Sequence, residues 1–267
     1  MSEIVCPKCQ AILKEGAKFC HVCGYKIPEE TTQSQDSEEE KKIDVKDFTD
    51  VKPDEVLSAI KSGNIFNRAI NIMFKPKSEW EVIANEKPRV PMLLFGYTFI
   101  YAIIPFITLI IGYGIIGERR LFFVHYWYRS FFTGLMNGII FVIAAVAAII
   151  LAAIFINMLA KEFKTEQNFG RAMQLTTYSF TPMFFAGAFF MLPFMSFLVY
   201  LLGLYGVFIL LTGLPILLKT PKDSQIGYFL VSAGFLYGIF FLIYFVARVI
   251  FWAIYFAIAS NGIYPRF

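Results

Sequence analysis

The fold is decided by the uncharged stretch from Thr177 to Leu218, which reads TYSFTPMFFAGAFFMLPFMSFLVYLLGLYGVFILLTGLPILL. A helix that spans a membrane needs roughly 20 apolar residues, so this stretch is long enough to cross a bilayer twice. Pro193 and Ser196 lie near its middle, where a tight turn would join two antiparallel spans. The stretch therefore predicts a membrane protein.

The composition of the whole chain agrees with this prediction. Hydrophobic residues make up 57% and charged residues 16% of the sequence, whereas a soluble domain has roughly 25% charged residues. The net charge of +4 is modest, and the basic residues lie at the ends of apolar segments, so the sequence shows no nucleic-acid signature. The first apolar run of membrane length begins near Pro91, so we expect no cleaved signal peptide.

Three further apolar segments complete a layout of about five spans. They cover residues 91–116, 132–160 and 228–247. Pro105 lies inside the first of them and should kink its helix, because proline cannot donate a backbone hydrogen bond. We therefore predict an all-α polytopic membrane protein with about five transmembrane helices, preceded by a small N-terminal module.

Two pairs of glycines indicate places where helices approach closely. Gly134 and Gly138 lie near the start of the second span, and Gly234 and Gly238 lie in the last one. Small residues four positions apart let backbones pack closely where the surrounding lipid is as apolar as leucine. We expect packing within one bundle, and a homo-oligomer through either pair is the alternative.

The N-terminal module carries all four cysteines in two C-x-x-C pairs, Cys6 with Cys9 and Cys20 with Cys23. Four thiolates can close a tetrahedron on zinc, and a pair at this spacing presents both sulfurs to one ion. A module this short needs the metal for its folding free energy. We predict a zinc ribbon over residues 1–27 with one structural ion. A redox or disulfide pair is the competing interpretation, and His21 is an awkward ligand because it adjoins Cys20.

Two segments connect the predicted ribbon to the first span. Residues 28–53 are acidic and poor in apolar side chains, so we expect a disordered linker. Residues 54–90 contain an amphipathic stretch with Arg68 on a narrow polar strip. We expect these helices to lie in the membrane interface, and packing on the protein's own spans is the alternative. Residues 91–267 would then form the five-span membrane domain.

Two features of the membrane domain are candidate functional sites. Pro182 frees the carbonyl of Tyr178 from its helical hydrogen bond, and Ser179 and Thr181 offer hydroxyl groups to the broken backbone. These four residues would form either a helix start patched by hydroxyls or a functional polar lip on the cytoplasmic side. Arg248 is the only charge in the last apolar segment, and it would either reach the headgroups or act inside the bundle.

The charged residues also bear on orientation and on catalysis. Lys and Arg residues near the span ends are more numerous on the N-terminal side, which predicts a cytoplasmic N-terminus and a C-terminus on the opposite side. A reducing compartment then favours zinc over a disulfide. From Pro91 onward the acidic residues lie in loops and His125 is the only histidine. No group is therefore placed for intramembrane catalysis, and we expect a protein that is not an enzyme.

Two short motifs carry a resemblance to a known family. Phe74-x-Pro76-x-x-x-Trp80 precedes the spans, and Tyr178-Ser179-x-Thr181-Pro182 opens the third one. With the five-span layout they resemble the Yip (Ypt-interacting protein) membrane family, specifically its prokaryotic branch, which is often preceded by a zinc ribbon. The resemblance implies an integral membrane adaptor in a prokaryotic cytoplasmic membrane. The Rab GTPase binding of eukaryotic members is not carried over, because the ribbon departs from their pattern.

Two functional hypotheses follow from the sequence. In the first, the spans lie in the lipid bilayer and the cytoplasmic zinc ribbon recruits an unidentified protein partner on a flexible tether. In the second, the protein is a transporter or a lipid-handling protein that uses the proline-broken spans and Arg248. Loss of the zinc ligands would abolish partner recruitment in the first case, and an activity assay in vesicles would detect the second.

Overall fold

The computed structural model describes residues 64–119 and 130–260, together with residues 4–5, 12–13, 54 and 127–128. The chain divides into two compact units, residues 1–43 and residues 44–267. In the first unit, strands β1 (Ile4–Val5) and β2 (Ile12–Leu13) pair antiparallel, with Ile4 opposite Leu13. The predicted linker and the four cysteines lie outside the described residues.

The second unit is a bundle of helices. A short hairpin of β3 (Glu118–Arg119) and β4 (Trp127–Tyr128) joins two of them. The helices are α1 (Asn64–Phe74), α2 (Pro76–Ala84), α3 (Val90–Ile116), α4 (Phe131–Leu159), α5 (Phe169–Ser179), α6 (Thr181–Ala186), α7 (Ser196–Gly203), α8 (Tyr205–Leu217) and α9 (Lys222–Ser260).

Several of these helical stretches are long and apolar enough to cross a membrane. Within the part of the chain that the structure describes there are four, Val90–Ile116, Phe131–Leu159, Pro193–Leu217 and Lys222–Tyr255. The first contains Pro105, as predicted, and turns of π-helix at Leu94–Thr98 and Ile110–Ile116. The predicted all-α polytopic membrane fold is thereby confirmed.

The third predicted span differs from its prediction in where it begins and in its continuity. Its helix begins at Phe169, where the Asn168 side chain accepts a hydrogen bond from the backbone N–H of Arg171 as an N-cap. The helix breaks after Ser179, because Pro182 cannot donate to the carbonyl of Tyr178. The chain then continues through α6 and a 3-10 turn, Gly187–Met191.

This broken segment lies beside α3 along its whole length. Gly170 contacts Pro88 just before α3, and the rings of Tyr178 and Tyr97 lie 4.8 Å apart. Further along, Gly187 packs on Pro105, and the carbonyl of Phe190 packs on Gly112. The segment therefore advances from one end of α3 to the other, as a broken third span would.

The central helix of the bundle is α4, which packs on α3, α5 and α9. Its small residues Ala144, Ala148 and Ala152 are fully buried, as their four-residue spacing predicts. Gly134 and Gly138 face α3: a Cβ on Gly134 would lie 3.0 Å from the Cα of Ile110. This glycine pair therefore serves packing within one bundle and does not provide an open face for a second copy.

The last helix continues beyond the predicted span of residues 228–247. It runs without a break from Lys222 to Ser260. The ring of Tyr228 stacks on Phe163 near one end of α4, and the ring of Phe251 contacts Phe132 near the other end. The helix therefore lies antiparallel to α4 and extends beyond it.

Candidate functional site

Helices α1 and α2 form a hairpin that docks against the bundle. Ile65, Ala69 and Ile72 of α1 are buried, and Trp80 of α2 is fully enclosed. Trp80 Nε1 donates a hydrogen bond to the carbonyl of Ile209 at 3.0 Å. Its ring lies over Gly213, where an added Cβ would come within 2.5 Å of the indole. The hairpin therefore packs on α8 through a tryptophan that only a glycine can accommodate.

The opposite face of α1 is apolar and exposed. Phe66, Ile70 and Phe74 repeat every four residues, and their exposed fractions are 49%, 51% and 76%. Of the two alternatives for this segment, the structure shows packing on the protein's own spans. The outward stripe is the surface that a membrane interface would cover.

Arg68 forms an ion cluster within the hairpin that the sequence pattern did not predict. Its Nη1 lies 2.9 Å from Glu79 Oε1, and its Nη2 lies 2.5 Å from Glu86 Oε1. Glu79 is 8% exposed. Burial lowers the pKa of Arg68, but Tyr178, Glu86 and Glu79 raise it and the net change is upward. One guanidinium therefore neutralises two carboxylates at the contact between hairpin and bundle.

The sequence pattern placed Arg68 on a polar strip of α1, and in the structure only 18% of its side chain is exposed. The helical wheel of α1 alone gives no information on Glu79 and Glu86, which approach Arg68 only after Pro76 has turned the chain. The sequence feature that could have indicated this cluster is Pro76. It lies between Arg68 and the two acidic residues of the following segment, Glu79 and Glu86.

A second arginine fixes the hairpin from the side of the third span. Arg171, in the first turn of α5, donates from Nη1 to the carbonyl of Ile83 at 2.8 Å and from Nη2 to the carbonyl of Ala84 at 2.7 Å. These carbonyls belong to the last turn of α2, where the carbonyl of Ile83 also accepts a hydrogen bond from the backbone N–H of Glu86. Arg171 therefore caps α2 and holds it against α5.

The residues of the predicted lip are enclosed within the protein. Tyr178 is 8% exposed, and Ser179 and Thr181 are fully buried. Thr181 Oγ1 shares a 2.8 Å hydrogen bond with the hydroxyl of Tyr97, and the Tyr237 hydroxyl donates to the carbonyl of Ser179 at 3.1 Å. The backbone break is thus satisfied partly by a tyrosine from α9, which the local sequence could not indicate.

The hydroxyl groups next to the backbone break form few hydrogen bonds. Thr176 Oγ1 donates to the carbonyl of Met173 at 3.2 Å. The hydroxyls of Thr177 and Ser179 are buried and have no hydrogen-bond partner among the residues that the structure describes. Buried unpaired hydroxyls cost free energy, so the break is stabilised mainly by tertiary contacts.

The two sequence motifs meet at this point. The Trp80 ring of the first motif contacts the Tyr178 ring of the second edge-on, with centroids 6.0 Å apart. Tyr97 packs on the other side of Tyr178. The hairpin and the broken helix therefore form one aromatic contact, which we call the Trp80–Tyr178 junction, beside the Arg68 ion cluster.

Arg248 lies near the opposite end of the bundle from the hairpin. Its guanidinium carbon is 5.5 Å from the ring centre of Tyr244. The next turn of α9 contacts Phe132 at the start of α4. Arg248 therefore lies about one helical turn from the start of α4, and α9 continues past it to Ser260.

The zinc prediction depends on the first unit. In the sequence, Cys6 and Cys9 fall between β1 and β2. That arrangement suits a zinc ribbon, in which a C-x-x-C turn presents both sulfurs to one ion. Within the described residues, no group of three or more His, Cys, Asp or Glu could hold a metal.

Comparisons with known proteins identify both units. A family model described as the Yip1 domain matches residues 70–245. A family model described as the GTF2H2 zinc ribbon domain matches residues 4–35. Neither a curated protein nor a solved structure gives a significant match to the chain.

Proposed function

The chain belongs to the Yip1 domain family, and from this premise we propose that it is a non-enzymatic integral membrane adaptor with a cytoplasmic zinc ribbon. One observation supports the proposal: the same chain matches a zinc ribbon domain at residues 4–35 and the Yip1 domain at residues 70–245. The ribbon would recruit a protein partner, and the bundle would anchor that partner at the bilayer.

The ribbon of this proposal holds one structural zinc through Cys6, Cys9, Cys20 and Cys23. Zinc binding supplies the folding free energy of such small modules, on the order of 10 kcal/mol. The metal therefore acts by organising a protein surface and supplies no chemistry to a substrate.

The docked hairpin of α1 and α2 would connect the ribbon of the adaptor to the helix bundle. Residues between the ribbon and α1 lead directly into a helix that is fixed by the Arg68 ion cluster, by Arg171 and by the Trp80–Tyr178 junction. A load applied to the ribbon by a partner would therefore reach the bundle through α1 and α2. We propose that this hairpin is the mechanical link between partner and membrane.

The test is the double variant Cys6→Ser/Cys9→Ser in the full chain. Zinc measured by mass spectrometry should fall from one ion per chain to none, and crosslinking in native membranes should lose the partner. Membrane insertion should be retained. Lys8→Ser, between the same two cysteines in the sequence, is the control and should keep zinc. Unchanged zinc content in the double variant would contradict the ribbon assignment.

Transport or lipid handling is the second candidate function, and the position of Arg248 over the ring of Tyr244 favours it. An arginine can bind an anion or a phosphate headgroup. Vesicles containing the protein should then show flux or lipid scrambling that Arg248→Ala abolishes. The absence of any flux or scrambling with the wild-type protein would remove this candidate.

A further inference from the structure

A groove lies between α3 and α4 on the surface of the bundle. Its volume is about 270 Å³, and every residue that lines it is apolar. Ala102 forms the floor and is 1% exposed, whereas Ile103 and Ile143 on the two rims are 51% and 60% exposed. The small side chain of Ala102 between larger neighbours creates the groove.

The groove lies at mid-depth of the two spans. At a rise of 1.5 Å per residue, Ala102 is about 18 Å along α3 from Val90, and Ile143 is about 18 Å along α4 from Phe131. Because the two helices are antiparallel, the groove is far from both ends of a hydrocarbon core that is about 30 Å thick. Neither water nor headgroups are available to fill it there.

We propose that this groove is a binding site for one acyl chain of a membrane phospholipid. An empty groove would leave its lining atoms without dispersion partners on one side, and water does not enter a cavity with apolar walls. A flexible hydrocarbon chain supplies those contacts without requiring any hydrogen-bond partner. The apolar lining and the mid-membrane depth both fit this occupant.

A helix from a second copy fits this groove less well. Close helix pairing in membranes needs small residues along a face so that the backbones can approach. Here the rims carry the bulky side chains of Phe99, Ile103 and Ile143, all of which project outward. They would hold a helix away from the floor, whereas a single chain can lie between them.

Charge complementarity indicates which leaflet supplies the phospholipid. Lys87 and Arg89 precede α3 and are exposed. Phe99 lies about 15 Å further along the helix from Arg89, which is about half the thickness of the hydrocarbon core. A phospholipid whose phosphate meets these cations can therefore place the far part of its chain in the groove.

The test uses native mass spectrometry of the full chain, taken in mild detergent from vesicles of phosphatidylethanolamine and phosphatidylglycerol. Val142→Trp fills the groove with an indole. Leu242→Trp adds the same ring at an exposed position of α9 outside the groove. The wild type and Leu242→Trp should each retain one phospholipid, and Val142→Trp should lose it. Ile139→Trp, on the exposed rim, is the second filling variant if Val142→Trp does not fold.

Three results would overturn the proposal. The first is equal lipid retention by the wild type and both filling variants, or no retained lipid at all. The second is a wild-type dimer that the filling variants convert to monomer, which would identify the occupant as a second copy. The third is equal retention of phospholipids whose chains are too short to reach Phe99, because binding would then rest on Lys87 and Arg89 alone.

Discussion

At the residue scale, the docked position of the hairpin depends on Arg68, whose charged side chain is largely enclosed. It contacts Glu79 and Glu86 from the hairpin and lies close enough to Tyr178 of the third span to interact with it. A buried charge is stable only when it is paired, and removal of one partner leaves the other uncompensated. The cluster therefore makes the position of the hairpin sensitive to a single side chain.

The first prediction concerns the variant Arg68→Met. It should lower the free energy of unfolding by about 2–3 kcal/mol, because Glu79 then stays buried without a counter-charge. Thermal unfolding in detergent measures the change. Adding Glu79→Gln to the same chain should recover part of the loss, since the two sites are coupled.

A matched control for Arg68 is the ion pair of Lys219 with Glu166. The two side chains are 2.8 Å apart but are 77% and 49% exposed. Exposed pairs contribute at most about 1 kcal/mol, so Lys219→Met should have little effect. Equal destabilisation by the two methionine variants would show that the Arg68 cluster has no special role.

The second prediction concerns the close approach of Trp80 and Gly213. Gly213→Ala should destabilise the protein by about 1–3 kcal/mol, because the new methyl group overlaps an indole that cannot move. In a chain that also carries Trp80→Ala the same glycine substitution should be nearly neutral. A double-mutant cycle of unfolding free energies measures this, and simple additivity would contradict the docked position of the hairpin.

At the element scale, the structure separates two glycine pairs that look the same in sequence. A Cβ added to Gly134 or Gly138 would contact α3. A Cβ added to Gly234 or Gly238 would have nothing within 4 Å. The spacing of small residues predicts that a helix face permits close packing. It cannot indicate whether the packing partner lies in the same chain, which depends on how the whole bundle assembles.

The third prediction uses this contrast. Gly134→Leu should destabilise the bundle strongly, because the new side chain meets the backbone of α3. Gly234→Leu should leave the unfolding midpoint nearly unchanged. If a homo-oligomer forms through Gly234 and Gly238, the second variant should shift the chain to monomer in analytical ultracentrifugation. An unaltered molar mass would exclude that interface.

The sequence predicted which elements exist better than it predicted their contacts. Apolar length and composition identified the spans, and Pro182 correctly indicated a broken helix, because those signals are local. Arg171 caps α2 from within α5, and the local pattern around Arg171 does not indicate this contact between two elements. The partners of Arg68 and Ser179 come from other elements and have no local signal.

At the scale of the whole molecule, we propose that the chain crosses the membrane five times. Within the described residues, four helices are long and apolar enough to do so by themselves. The broken segment, which follows α3 from Gly170 to Phe190, would provide the fifth crossing. An odd number of crossings would place the ribbon and the end of α9 on opposite sides of the bilayer, and the charge distribution predicts a cytoplasmic ribbon.

The most direct test of five crossings is the sidedness of reporters fused in turn to the N-terminus and after α9 in the intact membrane protein. A reporter that is active only in the cytoplasm should work at the N-terminus and fail after α9, and a reporter that is active only on the other side should show the reverse. Cytoplasmic activity at both ends would mean an even number of crossings, such as four, and would contradict five.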